Sequence, residues 1–148
     1  MDSFSDYLNS AKKSLFRFES LQDYKIDGED ESDEGMKEWW DFIASKKKQG
    51  VQMQRIKLVI RPLTKYTETE LEIHKKSSSF GDDIRIIEEE AFKILGVKQE
   101  DFWIVDDVIC LRMKYSNEGE YLGFDVVEKS VKKYLKIKKV LLKHSVSL

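Results

Sequence analysis

The chain has 148 residues, with 26 Lys and Arg against 28 Asp and Glu, a formal net charge of −2. That length suits one domain with an ordinary core. A hydrophobic content of 41% excludes a disordered chain, and the balanced charge excludes a dedicated polyanion binder. Cys110 is the lone cysteine, which excludes an intrachain disulfide and a cysteine metal cluster. Within Val108-Ile109-Cys110-Leu111 it reads as a small buried hydrophobe. The N-terminus lacks a basic stretch followed by an apolar one, and no uncharged run approaches the ~20 residues of a spanning helix. A cytoplasmic protein with no membrane partner is expected.

In chain order, Phe4, Tyr7, Leu8, Ala11 and Leu15 fall at helical spacing behind Ser3 or Ser5 as a cap. Phe16-Arg17-Phe18-Glu19 alternates like a short strand or extended arm. These make up a first unit, residues 1–26. Residues 27–35 hold six acids and two glycines and read as an acidic loop, without the ligand pattern of a calcium-binding loop. The main α/β domain is expected over 36–148. It opens with a helix through Trp39, Trp40, Phe42, Ile43 and Ala44, which ends in Lys46-Lys47-Lys48 before Gly50. One tryptophan of the pair should enter the core and the other remain a partner contact.

Val51 to Ile60 is the clearest strand, closed by Pro62. Thr64 caps a helix to about Lys76, with Tyr66 and Glu70 on one face. A Ser77-Ser78-Ser79 loop then leads to a strand at Ile84–Ile87 and a short helix from Glu88 to Leu95. The last third reads as a meander: strands at 102–105, 108–115 and 121–127, with an Asp106-Asp107 turn and a loop at 116–119. A helix from about Glu128 to His144 follows. The expected class is α/β, with α+β as the alternative. Its sheet is mixed and mainly antiparallel, has one βαβ crossover, and carries helices packed on it.

Arginine placement is selective. Against 21 lysines the chain has five arginines, Arg17, Arg55, Arg61, Arg85 and Arg112, all in or beside predicted strands. A guanidinium stays charged when half-buried and offers a planar fork of donors, which lysine does not. Strand parity allows Arg55, Arg85 and Arg112 to gather on one side of the sheet, near Glu70, Asp83, Asp101 and Asp106. Partly buried ion pairs that fix strand register are the plainer reading, and a pocket for a phosphate or carboxylate is the functional one.

Catalytic patterns are sparse. His74 and His144 have no triad context. His74-Lys75-Lys76 followed by Asp82 is one residue off the His-x-Lys-x4-Asp spacing of phospholipase D-like enzymes, on a stretch that reads as helix. Glycine-rich phosphate loops, HExxH and CxxC are absent. Asp101, Asp106 and Asp107 read as turn acids before a cation site, so neither a metal nor a cofactor is expected. The terminal helix carries Lys132, Lys133, Lys136, Lys139 and Lys143, a solvated face or a weak contact for nucleic acid.

The ordered motifs Phe16-Arg17-Phe18-Glu19, Gly50-Val51-Gln52-Met53-Gln54-Arg55, Leu63-Thr64-Lys65-Tyr66 with Glu70-Leu71, Gly81-Asp82-Asp83-Ile84-Arg85, Asp101-Phe102-Trp103-Ile104-Val105-Asp106-Asp107 and Arg112-Met113-Lys114-Tyr115 are similar to those of a family of small bacterial proteins. That family is known only as a domain of unknown function, common in high-GC Gram-positive genomes. Its members show FRLE, a Gly-Val-x-Val-x-Arg strand, GEDIR, DFWLFDD and RMHYD. The resemblance spans about residues 16–140 and implies a regulatory accessory role beside helix-turn-helix regulators, with no activity to transfer. Its motifs contain Arg55, Tyr66, Glu70, Arg85, Asp101, Trp103, Asp106 and Arg112. The acidic insert at 27–35, Asp82 in place of Glu, and the lysine-rich last helix depart from it. The chain also faintly resembles half of a degenerate phospholipase D-like domain without its catalytic residues, which implies binding over chemistry.

The function expected is therefore a non-enzymatic regulatory or protein-interaction domain with a protein partner. Two alternatives stand beside it. One is a small-anion or nucleotide-binding domain built on the strand-borne arginines, with or without chemistry. The other is weak nucleic-acid binding through the terminal helix.

Overall fold

The structure is a computed structural model and describes residues 3–25 and 30–148. Seven strands form one mixed sheet: β1 (Ser14–Glu19), β2 (Gln52–Val59), β3 (Asp82–Glu88), β4 (Phe102–Val105), β5 (Ile109–Tyr115), β6 (Tyr121–Val127) and β7 (Val146–Ser147). Their spatial order is β6-β5-β4-β1-β2-β3-β7. β1 pairs in parallel with β2, and β2 with β3; the other four pairings are antiparallel. The α/β class and the mixed sheet are as expected. The crossover foreseen between β2 and β3 is α3 (Lys65–Phe80), and a second, α2 (Asp33–Lys48), joins β1 to β2. From β1 the chain winds first to one side through β2 and β3, then to the other through β4, β5 and β6. The strand order reverses beside β1.

Parity divides the sheet into two cores. On one face Phe16, Phe18, Ile56, Leu58, Phe102, Ile104 and Cys110 pack under α4 (Glu89–Ile94) and α5 (Val131–His144), through Phe92, Tyr134 and Leu141. Burial pushes the Cys110 thiol up to about 12, so it is inert. On the other face Leu15, Met53, Trp103, Val105 and Leu111 meet α1 (Phe4–Asn9) and α2 through Leu8, Trp40 and Ile43. Helix α3 covers the rest of that face. Among the described residues, no helix is long and apolar enough to cross a membrane.

Several boundaries differ from those the sequence suggests. Residues 26–29, which include the first three of the acidic segment, lie outside the described residues. Its far end is helical, because Ser32 accepts the Gly35 N–H at 3.1 Å and Asp33 and Glu34 occupy the first turn of α2. The three serines expected as a loop continue α3. Ser77 Oγ accepts the Trp40 indole N–H at 2.9 Å, and Phe80 stacks on Trp40 at 5.3 Å. Tertiary docking outweighs the weak helix preference of serine there. Trp40 is the buried member of the pair, and Trp39 is half-buried. Strand β7 was not anticipated; two residues against Arg85 and Ile86 carry too short a pattern to read.

Asp106, a candidate ligand residue, has a structural task. Asp106 and Asp107 both take positive φ, 54° and 57°, in the turn between β4 and β5, a conformation Asp tolerates better than most residues. The Asp106 carboxylate accepts the N–H groups of Lys12, Lys13 and Ser14 at 2.7–3.2 Å. It thereby anchors the start of β1 to the end of β4. Burial opposes its ionisation, but these backbone donors hold its carboxyl below the usual range. Asp106→Ala removes the acceptor for three N–H groups and places Ala at positive φ. Urea denaturation should show a loss of about 1–3 kcal/mol.

Candidate functional site

The site grows from one line of residues across the sheet. Trp103, Arg17 and Arg55 are consecutive cross-strand partners on β4, β1 and β2. Like charges directly opposite repel, so the Arg17–Arg55 pairing has to be compensated. Asp101 accepts from Arg17 Nη2 at 2.9 Å, from Tyr24 at 2.6 Å, and from both the N–H and the hydroxyl of Ser20. Arg55 reaches Glu19 through Nη1 at 3.3 Å and Asp82 through Nε at 3.4 Å. Both guanidiniums lie over the indole of Trp103, at 5.5 and 5.3 Å. The compensation of Arg17 is incomplete: its side chain is 6% exposed, and its Nε and Nη1 have no hydrogen-bond partner among the described residues.

Helix α3 supplies the opposing wall. Glu70 and His74, one turn apart, both face inward. His74 Nε2 lies 2.9 Å from Glu19 Oε1 and 3.8 Å from Glu70 Oε1. Lys57, fully buried, donates to the Leu21 carbonyl and sits 4.9 Å over the Tyr24 ring. These environments separate the two carboxyls. Burial opposes ionisation of Glu19, but Arg55 and His74 outweigh it and hold Glu19 well below the usual carboxylate range. Burial and the neighbouring Glu19 charge push Glu70 up to about 7. Glu19, Glu70 and His74 are also the donors that would hold a metal ion, their ligand atoms all lying within 4.8 Å of one another.

Between α3 and the sheet these groups open on a cavity of about 450 Å³. Its polar floor is Arg17, Glu19, Arg55, Glu70 and His74, and rings of Tyr24, Trp39, Tyr66, Trp103 and Tyr115 form its walls. The cavity lies over the C-terminal half of β1 and the middle of β2, next to the reversal of strand order, the region of an open α/β sheet where ligand sites commonly lie.

Of the residues singled out in the sequence, Arg55, Tyr66, Glu70 and Trp103 line this cavity. Asp101 stands behind it, its carboxylate consumed by Arg17, Tyr24 and Ser20. The gathering of three arginines on one side does not occur. Arg85 and Arg112 pair in register with Ile56 and Phe102, on the opposite face from Arg55. Arg85 meets Asp83, and Arg112 meets Glu100, which also accepts from Tyr134. The reason is register: parity fixes the faces of each strand, but the offset between strands, which relates Arg55 to Ile84 and not to Arg85, is not written in any one of them. Arg17 takes the vacant role. Glu19 and His74 also went unassigned, although the Arg17-x-Glu19 and Glu70-x3-His74 spacings place each pair on a common face.

His74 and Lys76 leave α3 in different directions. Lys76 is exposed and pairs with Asp33 at 2.7 Å, while Asp82 pairs with Arg55, so the near-miss spacing builds no joint site. Lys132, Lys133, Lys136, Lys139 and Lys143 are exposed on α5 and make no ion pair among the described residues.

The raised Glu70 carboxyl has a measurable consequence. Its folded-state proton affinity exceeds the unfolded one, so the associated stability is present below about pH 4.5 and is lost as pH rises through 7. In chelating buffer, Glu70→Gln should gain on the parent protein between pH 5 and 8, by up to ~1.4 kcal/mol per pH unit. Parallel pH-stability curves for the two proteins would contradict the assignment.

Comparison with known proteins places the fold. The chain is similar to a phospholipase D family member, Nuc from Salmonella typhimurium, with a TM-score of 0.59 and 12% identity, over 97% of this chain and 86% of that one. At that identity the likeness concerns the fold. None of the curated proteins matches the sequence. The family model described as Domain of unknown function (DUF6879) matches residues 2–148, and the chain belongs to that family.

Proposed function

We propose that the domain is a small-molecule-binding module whose ligand is a planar organic anion, held in the cavity between α3 and the sheet. The observation that carries this reading is the Arg17–Arg55 cross-strand pair at the floor of an aromatic cavity. Both guanidiniums have carboxylate partners, but Arg17 keeps Nε and Nη1 buried without acceptors among the described residues, an arrangement that costs free energy unless something answers it. A carboxylate or phosphate near the pair supplies those acceptors. The walls supply ring faces for an aromatic body, and the volume admits a ligand of one or two fused rings.

Ligand occupancy suits the regulatory role expected from the motifs. The cavity lining comes from α1, α2 and α3 and from β1, β2, β4, β5 and β6, so a bound molecule would couple the helices to the sheet. Binding through the lysines of α5 has less behind it, because the five exposed residues interleave with no exposed aromatic or arginine.

The test is a thermal-shift panel of aromatic carboxylates and nucleoside monophosphates, each run beside its uncharged amide or nucleoside. A matching acid at 100 times its dissociation constant stabilises by about 2.7 kcal/mol, or roughly 6–10 °C for a chain of this size. The same acid should quench the fluorescence of Trp39 and Trp103, and Arg55→Met should abolish both effects. Stabilisation by the neutral analogues alone would refute an anion site.

A further inference from the structure

We infer that Glu19, Glu70 and His74 form a binding site for one divalent first-row transition-metal ion, with its open coordination positions facing the cavity. This inference does not depend on the organic ligand proposed above.

The donors converge from two elements. Glu19 ends β1, and Glu70 and His74 project from successive turns of α3. His74 Nε2 is 2.9 Å from Glu19 Oε1 and 3.8 Å from Glu70 Oε1, with all three donor atoms inside 4.8 Å. An ion bonded at about 2.0–2.2 Å places its donors roughly 3–4 Å apart. The set is therefore close to a coordination face and needs only a small inward movement of a carboxylate. All three residues are buried, which distinguishes them from the acidic clusters common on protein surfaces.

A second observation points the same way. Glu70 is only 8% exposed, and its carboxyl accepts no hydrogen bond among the described residues; its one ion-pair partner among them is His74, at 3.8 Å. Buried carboxyls are rarely left in that state, and a coordinated cation would satisfy this one. Glu19 is fixed in place: Arg55 contacts Oε1, the oxygen that also meets His74, at 3.3 Å and is itself tied to Asp82.

The local charge admits the ion. Arg17 is matched by Asp101 and Arg55 by Asp82, which leaves Glu19 and Glu70 against Lys57. With both carboxyls ionised that remainder is one net negative charge. The donor set of two carboxylates and an imidazole selects manganese, iron, cobalt or zinc in the divalent state, and disfavours magnesium and calcium, which take oxygen ligands only.

The test uses the untagged full-length chain, stripped with a chelator and titrated with Co2+, followed by visible absorption and by calorimetry. One ion per chain should bind with a d–d absorption band, and Zn2+ should displace it where Mg2+ does not. Glu70→Gln and His74→Gln should each weaken binding at least ~10-fold, whereas His144→Gln, on the exposed end of α5, should leave it unchanged. Should the core variants fold poorly, the His144→Gln protein still decides the matter, since His74 is then the only histidine. Cobalt-shifted imidazole proton resonances in that variant support the site. Their absence, or the absence of saturable Co2+ binding in the parent chain, overturns it, as would binding lost only on replacing His144. Co2+ binding together with failure of every aromatic anion would overturn the ligand proposal and leave this one standing.

Discussion

The buried pair between Arg17 and Asp101 holds this molecule's interior together. Asp101 precedes β4 and gathers four donors: the guanidinium of Arg17, the Tyr24 hydroxyl, and two groups of Ser20. It thus ties the end of β1, the segment that leaves it, and the strand beyond the reversal of strand order. A buried ion pair of this kind costs desolvation and returns it only when its lone pairs are well filled. Here the carboxylate is saturated while the guanidinium is not, and that asymmetry makes Arg17 a structural element on one side and a cavity-facing group on the other.

The second consequence concerns the helical layer. At the Leu15, Met53 and Val105 end, the sheet face is apolar and sealed by α1 and α2. Two residues further along β1 and β2 the same face carries Arg17, Glu19, Arg55 and Lys57. A helix cannot close tightly over four charged side chains without matching each of them. Helix α3 brings Glu70, His74 and Thr67, not an apolar stripe, and the space left between α3 and the sheet is the cavity. The pocket results from a change of polarity along one face of the sheet, while the reverse face of β1, β2 and β4 keeps Phe16, Phe18, Ile56, Leu58, Phe102 and Ile104 beneath α4 and α5.

Likeness of fold to a phospholipase D family member sets the arrangement of strands but not the chemistry. The polar groups that converge here come from β1, β2, the approach to β4, and the middle of α3, and the cavity depends on those particular residues.

Individual strands and helices were largely legible in the residues, because alternation and capping are local: Phe-Arg-Phe-Glu, the 52–59 run, Thr64 before α3, and the Asp106-Asp107 turn all carry their own signal. Arg55 and Glu70, placed near one another by parity, and Tyr66 and Trp103, named through the resembled motifs, line one cavity. The assembly of that site was not legible. The register of β2 against β3 sends Arg85 to the far face, and that of β1 against β2 brings Arg17 to Arg55 in its place. Register is set by which side chains pack between strands far apart in the chain, and periodicity within one strand says nothing of its offset from the next. For the same reason Glu19 and His74, 55 residues apart, meet only once α3 has docked on the sheet. Local pattern specified which faces are polar, and tertiary packing decided which polar groups share a cavity.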